Sequence, residues 1–119
     1  MLHTTSGTQL ANLLKKLHVF DFDVVRKGNI PYSHSDNIII NLDDTGRGTH
    51  WVAMNRTCKR YFDSYGQDPP KEVPPGYTHS RKIIEGIDGE DCGQLCALWL
   101  HYLNHRSESE FYKLFKSLY

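Results

Sequence analysis

The sequence lacks long apolar runs, an excess of either charge and a secretion signal. Its apolar runs are only a few residues long, far short of the roughly 18 residues that cross a bilayer. The N-terminus, MLHTTSG, does not have the basic and then apolar order of a signal peptide. We therefore expect a soluble protein that is neither secreted nor bound to a membrane.

The charge and cysteine content narrow the function classes further. Lys and Arg total 14, as do Asp and Glu, so the formal net charge is zero and gives no support for nucleic-acid binding. The cysteines are Cys58, Cys92 and Cys96. An odd number in a protein that is not secreted favours free thiols over a disulfide framework. One of them is therefore a candidate for a reactive thiol.

Apolar periodicity predicts an amphipathic helix near each end of the chain. The first follows Ser6, which has capping-box spacing with Gln9. The last follows Ser107, which has the same spacing with Glu110. Both helices are expected to pack one apolar stripe against a core. The residues of these stripes are Leu10, Leu13, Leu14 and Leu17 in the first helix and Phe111, Leu114, Phe115 and Leu118 in the last.

The middle of the chain predicts strands. Residues Asn37–Leu42 contain three consecutive isoleucines, which is typical of a buried strand. Residues Thr49–Met54 and Lys59–Tyr65 predict a hairpin, because a four-residue connection separates them. We expect the proline-rich stretch Gly66–Gly76 to be an irregular loop. A further short strand is expected at Arg81–Ile84.

A central helix is predicted from Cys92 to about His105, with Asp91 placed to cap its start. A loop is expected around Gly28–Pro31 and a turn at Asp43–Gly48. The order of a helix, strands and further helices predicts an α+β fold. At 119 residues, the chain is expected to form a single domain over residues 1–119.

Cys92 has the sequence context of a nucleophile. A cysteine at a helix N-terminus has its thiolate stabilised by unpaired backbone N–H groups and by the positive end of the helix dipole. Gly93 leaves room for a substrate backbone, and the Cys92 amide can donate to a developing oxyanion. The alternative is a small buried cysteine of the core, which is the commoner role of this residue type.

The predicted hairpin supplies a base for this thiol. With a loop of residues 55–58, Met54 would pair with Lys59, and counting back places His50 directly opposite Asp63. Cross-strand Cβ atoms lie about 4.5–5.5 Å apart. Asp63 could therefore accept from one imidazole nitrogen and leave the other for Cys92. A register change of one residue would put His50 and Asp63 on opposite faces.

Three blocks of sequence carry a resemblance to a known family: Gly48–Ala53 (GTHWVA), Tyr61–Gly66 (YFDSYG) and Asp91–Gly93 (DCG). The chain resembles the adenain-like (adenovirus-type) viral processing cysteine proteases, and more closely those of adintoviruses and Polinton (Maverick) elements. SUMO-specific proteases belong to the same clan. The resemblance implies a small papain-like fold, in which helices pack on a central sheet and the nucleophile begins the central helix.

The resemblance also implies a function. It assigns a catalytic triad in which His50 takes the proton of Cys92 and Asp63 orients His50. Trp51 and Gly93 would line a narrow cleft for substrates with glycines before the scissile bond. The implied substrates are viral precursor proteins, cleaved during virion maturation in the infected cell (nucleus or cytoplasm) and in the particle. No metal or organic cofactor is implied, an activating peptide or DNA is implied by analogy alone, and we expect a monomer.

Glu85 departs from the pattern of the family, which has a glutamine seven residues before the nucleophile. The glutamine amide donates to the oxyanion, whereas a carboxylate can donate only when it is protonated. We expect Glu85 and the Cys92 amide to form the oxyanion hole, with an ionised Glu85 repelling the oxyanion and slowing the reaction.

Two other functions stay open. One is a protease for ubiquitin-like modifiers, since that branch of the clan shares these motifs. The other is a protease-like binding module whose catalysis is impaired, with Glu85 as the lesion. A metal site is not expected, because the helical period places Cys92 and Cys96 on the face opposite His101 and His105.

Overall fold

The chain forms an α+β fold, as predicted. The computed structural model describes residues 6–42, 50–84 and 92–116, and within them three α-helices pack against a four-stranded mixed sheet. None of these helices is long and apolar enough to cross a membrane. In chain order the elements are α1 (Gly7–Lys16), β1 (Phe22–Arg26), a 3-10 helix (Lys27–Tyr32), β2 (Asn37–Asn41), β3 (Trp51–Asn55), β4 (Arg60–Phe62), α2 (Cys92–His105) and α3 (Glu108–Lys116).

Both terminal helices begin after the predicted capping serines. The complete capping box is present in α1, whereas in α3 the Glu110 side chain accepts from the Ser107 hydroxyl at 3.3 Å. Ser6 Oγ accepts the Gln9 N–H at 3.1 Å, and Gln9 Oε1 accepts the Ser6 N–H at 2.9 Å. Ser107 Oγ likewise accepts the Glu110 N–H at 3.2 Å. These contacts satisfy backbone donors that a helix leaves without partners in its first turn.

The apolar stripe of α1 faces the core as predicted, whereas that of α3 is rotated. Leu10 and Leu14 are fully buried. In α3, Phe111 is fully buried but Leu114 is 43 % exposed, so the prediction is wrong at Leu114. The buried face of α3 includes Tyr112 instead, because the Tyr112 hydroxyl oxygen accepts a hydrogen bond from Ser80 Oγ at 2.8 Å.

The strands follow the order β1-β2-β3-β4, with β1 and β2 parallel and the two later pairs antiparallel. The sequence does not predict β1, and the 3-10 helix replaces the loop expected at Gly28–Pro31. β1 is an edge strand whose residues are half-buried or exposed. Its apolar pattern is weak for that reason.

β2 lies inside the protein and is buried along its whole length. Ile39 belongs to the core under the helices. Ile38 and Ile40 belong to a second core, which also contains Ile30 of the 3-10 helix and Val73 of the proline-rich loop. Because both faces of β2 are covered, its isoleucines run without polar interruption.

The chain between β4 and α2 is irregular. Gly66–Gly76 contains neither helix nor strand, as predicted, but the strand predicted at Arg81–Ile84 does not form. Arg81 has a left-handed φ of 63°, which interrupts the extended backbone that a strand requires. The segment is instead tied to the hairpin by a hydrogen bond from the Ile84 N–H to the Ser64 carbonyl oxygen, at 2.9 Å.

The β3–β4 hairpin forms, but its register differs by two residues from the predicted one. Met54 pairs with Tyr61 rather than with Lys59, and the turn covers residues 56–59. Asn55 stays in the strand while its Oδ1 accepts the Cys58 N–H at 2.9 Å, a side-chain contact typical of turns. A shift of two residues keeps every side chain on its predicted face.

Asn55 also joins the hairpin to the neighbouring elements. Its Nδ2 donates to Asn37 Oδ1 in β2 at 2.8 Å, and Asn104 Nδ2 in α2 donates to the same oxygen at 2.9 Å. Asn37 and Asn55 are both buried. The amide side chain of Asn55 therefore couples the turn to β2, and Asn37 extends this connection to α2.

We expect Asn55→Ala to lower the free energy of unfolding by about 1–3 kcal/mol, because it removes the hydrogen bonds of Asn55 to Asn37 and to Cys58, each worth roughly 0.5–1.5 kcal/mol. Urea denaturation measures the change. Thr57→Ala is the matched control, since it removes an exposed hydrogen bond from the same turn, between Thr57 Oγ1 and Asp36 Oδ2 at 2.6 Å. Equal losses in the two variants would contradict the coupling role of Asn55.

Candidate active site

Cys92 is the first residue of α2 and is nearly inaccessible, with 2 % of its surface exposed. α2 packs against β3, which brings the start of the helix next to the start of the strand. The Trp51 N–H consequently donates to Cys92 Sγ at 3.3 Å. A sulfur at the N-terminus of a helix lies where negative charge is favoured.

His50 and Asp63 lie at the open end of the hairpin, directly before β3 and directly after β4. The observed register, continued from the pair Ala53 and Phe62, places Asp63 level with Val52. The prediction that His50 and Asp63 are directly opposite is therefore wrong. Their side chains still meet, with His50 Nε2 2.9 Å from Asp63 Oδ1, because the two-residue shift keeps them on one face.

The Asp63 carboxylate is held from two directions. Only 1 % of its side chain is exposed, and the oxygen that contacts His50 also accepts the Tyr65 N–H at 2.8 Å. Asp63 therefore fixes Nε2 of the imidazole and leaves Nδ1 for Cys92. This is the order of groups that a cysteine nucleophile, its base and an orienting carboxylate require.

The electrostatics of the site favour a protonated His50. Burial by itself lowers the pKa of His50, but the hydrogen bond to Asp63 and the negative charges of Asp63 and Cys92 outweigh it and raise the pKa from 6.5 to about 9. The folded-state pKa thus lies above the unfolded one. His50 therefore contributes stability that is complete below about pH 6.5 and is lost as the pH rises through about 9.

Tyr65 is a member of the site that the sequence does not single out. Its ring stacks on the imidazole of His50, with ring centroids 4.2 Å apart and an angle of 4° between the planes. The sequence feature that could have identified Tyr65 is its position two residues after Asp63 in the YFDSYG block.

Trp51 and Gly93 lie beside Cys92, and both are buried. A Cβ atom on Gly93 would be 3.1 Å from Cδ2 of Leu10 and 3.1 Å from Cδ1 of Trp51. Glycine at this position therefore lets α1 and Trp51 approach the start of α2. That Trp51 and Gly93 also line a substrate cleft stays a prediction.

The histidines of α2 have structural partners. His101 Nδ1 lies 2.8 Å from the Leu17 carbonyl oxygen, and His105 Nε2 lies 2.6 Å from the His18 carbonyl oxygen. Cys58, Cys92 and Cys96 form no disulfide with one another, as predicted. Across residues 6–42, 50–84 and 92–116, no three His, Cys, Asp or Glu side chains are grouped as a metal ion would require.

The structure thus brings together His50, Asp63 and Cys92 from the open end of the hairpin and the start of the central helix. Other predicted features lie outside the described residues, so their positions are not part of this geometry. They are the oxyanion-hole residue Glu85, the cap Asp91, the turn Asp43–Gly48 and the last stripe residue Leu118.

No family model, no curated protein and no solved structure matches this chain. A function must therefore be argued from His50, Asp63 and Cys92 and from the residues that surround them.

We expect the imidazolium form of His50 to persist to about pH 9, and Asp63→Asn to lower this pKa because it removes a negative charge while keeping an acceptor. NMR titration of the histidine rings measures the pKa of His50 in the unsubstituted protein and in Asp63→Asn. The spectrum of His50→Gln assigns the signal among the seven histidines. A pKa that is unchanged in Asp63→Asn would contradict the pairing.

Proposed function

We propose that the protein is a cysteine endopeptidase that uses His50, Asp63 and Cys92 as its catalytic triad. The observation that carries this proposal is the 2.9 Å hydrogen bond between His50 and a buried Asp63, made next to a cysteine that begins a helix. The carboxylate occupies Nε2 of His50, and Cys92 is close enough to influence the pKa of the ring.

The reaction follows from these positions. Before the attack His50 already holds the proton of the Cys92 thiol on Nδ1, in keeping with its raised pKa of about 9. Cys92 then attacks the carbonyl carbon of the scissile peptide bond as the thiolate. As the C–N bond breaks, His50 returns the proton to the leaving amine, and a thioester to Cys92 remains. Water then attacks the thioester carbon while His50 accepts its proton, and Cys92 leaves as the thiolate. Asp63 keeps the imidazole in the orientation that both steps need.

The oxyanion formed in each attack needs hydrogen-bond donors. The Cys92 amide is one candidate, because the first N–H groups of an α-helix have no partner inside the helix. Glu85 takes the place of the second donor in the adenain-like pattern and can serve only in its protonated form. The proposed enzyme is therefore expected to be slower than one with glutamine at this position, or to work best at acid pH.

The resemblance of the three sequence blocks extends the proposal to the fold and the substrate. We propose a papain-like arrangement, which the position of Cys92 at the start of a helix packed on a central sheet supports. The proposed substrates are viral precursor proteins cleaved after glycine-containing motifs during virion maturation. Trp51 beside the triad and Gly93 after Cys92 are the proposed walls of a narrow cleft.

We expect the protein to hydrolyse fluorogenic peptides ending in Leu-x-Gly-Gly or Leu-x-Gly-x between about pH 5 and pH 8, and Cys92→Ala to abolish this turnover, because no other group replaces the nucleophile. The matched control is Cys58→Ala. It removes an exposed thiol in the β3–β4 turn, so it should leave the rate unchanged.

The outcomes separate the alternatives. Preference for modifier-derived substrates over the short peptides would favour the protease for ubiquitin-like modifiers. No turnover at any pH, with Cys92 no more reactive towards iodoacetamide than Cys58, would contradict the peptidase and favour a binding module.

Glu85→Gln is expected to raise kcat and to move the optimum towards neutral pH, since a carboxamide donates at every pH. Loss of a single oxyanion donor typically costs roughly 10²–10³ in kcat, so the gain should be large enough to measure. Steady-state kinetics across the same pH range test it, with circular dichroism as the control for folding. An unchanged kcat would contradict the assignment of Glu85 to the oxyanion hole.

A further inference from the structure

We propose that Tyr65 is a positioning residue, whose ring covers one face of His50 and holds the imidazolium in the plane that presents Nδ1 to Cys92. This inference rests on the proposed function of His50 and Cys92. It assigns a role to an exposed aromatic side chain that the triad chemistry does not itself require.

The geometry of the stack is the first support. The ring of Tyr65 is parallel to the ring of His50 within 4°, at a centroid distance of 4.2 Å. Asp63 contacts the edge of the same imidazole at Nε2, so the carboxylate limits translation of the ring and the aromatic face limits its tilt. An aromatic face also attracts a cation placed over it, and the imidazolium is such a cation.

The backbone of the Asp63–Gly66 turn is the second support. The Tyr65 N–H donates to Asp63 Oδ1 at 2.8 Å, and the Gly66 N–H donates to the Asp63 carbonyl oxygen at 2.8 Å. The same turn therefore fixes both groups that contact His50. Ser64, between them, is buried, and its carbonyl oxygen accepts the Ile84 N–H.

Gly66 makes this turn possible. Its φ is +71°, and a Cβ atom at this position would lie 2.8 Å from the Arg81 carbonyl oxygen. A residue with a side chain would strain the backbone and collide with the adjacent segment. The backbone of Tyr65 is thus held closely although its side chain is 44 % exposed, and a side chain that only packed in the core would not be exposed to this degree.

Three substitutions separate the possible contributions of Tyr65. Tyr65→Phe keeps the aromatic face and removes the hydroxyl, Tyr65→Leu keeps an apolar side chain without an aromatic face, and Tyr65→Ala removes both. Tyr32→Leu is the matched control, since Tyr32 is 78 % exposed and lies in the 3-10 helix. The measurements are kcat and KM on the fluorogenic peptide, the rate of Cys92 alkylation by iodoacetamide against pH, and the urea midpoint.

We expect Tyr65→Phe and Tyr32→Leu to behave as the unsubstituted protein. Tyr65→Leu should lower kcat roughly two- to fivefold with little change in KM, in line with the usual strength of an exposed cation–aromatic contact. In the same variant, the pH at which the rate of Cys92 alkylation changes on the alkaline side should be lower by about half a pH unit. Tyr65→Ala should lower kcat further, because it also leaves the imidazole free to tilt.

The alkylation measurement separates failure of this inference from failure of the proposed function. If Cys92 reacts no faster than Cys58 in the unsubstituted protein, the proposed function fails and the inference fails with it. If Cys92 is reactive but Tyr65→Leu leaves both kcat and the alkylation profile unchanged, the positioning role alone is overturned. A rise in KM at constant kcat would also overturn it, because Tyr65 would then be a substrate contact.

Discussion

The packing of α2 against the sheet is the contact on which the candidate site depends. Trp99 of α2 is fully buried and stacks on Phe62 of β4, with ring centroids 5.4 Å apart. Cys96, one turn after Cys92, is also fully buried. Because a helix is rigid over its length, burial of these two side chains fixes where the helix begins. The first residue, Cys92, is thereby placed at the open end of the hairpin.

Several polar atoms of the candidate site are buried without hydrogen-bond partners. Within the described residues, His50 Nδ1, Trp51 Nε1, the Tyr61 hydroxyl and Asp63 Oδ2 are buried and make no hydrogen bond. Tyr61 belongs to the second core, and the other three residues belong to the candidate site. Burial also raises the pKa of Tyr61, so its hydroxyl stays neutral. Each such atom typically costs about 1–3 kcal/mol. Buried polar atoms without partners occur mainly at functional or strained sites, so the candidate site is the part of the protein where such atoms are expected.

The candidate residues could be found from the sequence, but their exact contacts could not. The prediction that His50 pairs with Asp63 was obtained by counting back along both strands from the predicted turn. The turn begins one residue later than expected because Asn55 stays in β3. The contact survived because side chains alternate with a period of two and the register moved by two. An error of one residue would have separated His50 from Asp63. The stack of Tyr65 on His50 has no periodic signal at all, since it follows from the conformation of a short turn.

The sequence by itself determined the local elements: the helix caps at Ser6 and Ser107, the buried strand of isoleucines and the helix that starts at Cys92. These depend on interactions between residues near one another in the chain. Only the tertiary structure decided that Phe22–Arg26 joins the sheet as a parallel edge strand, that Arg81–Ile84 does not, and that His50 gains its raised pKa. Each of these depends on partners distant in the chain, and neither apolar periodicity nor local spacing encodes which distant groups will meet.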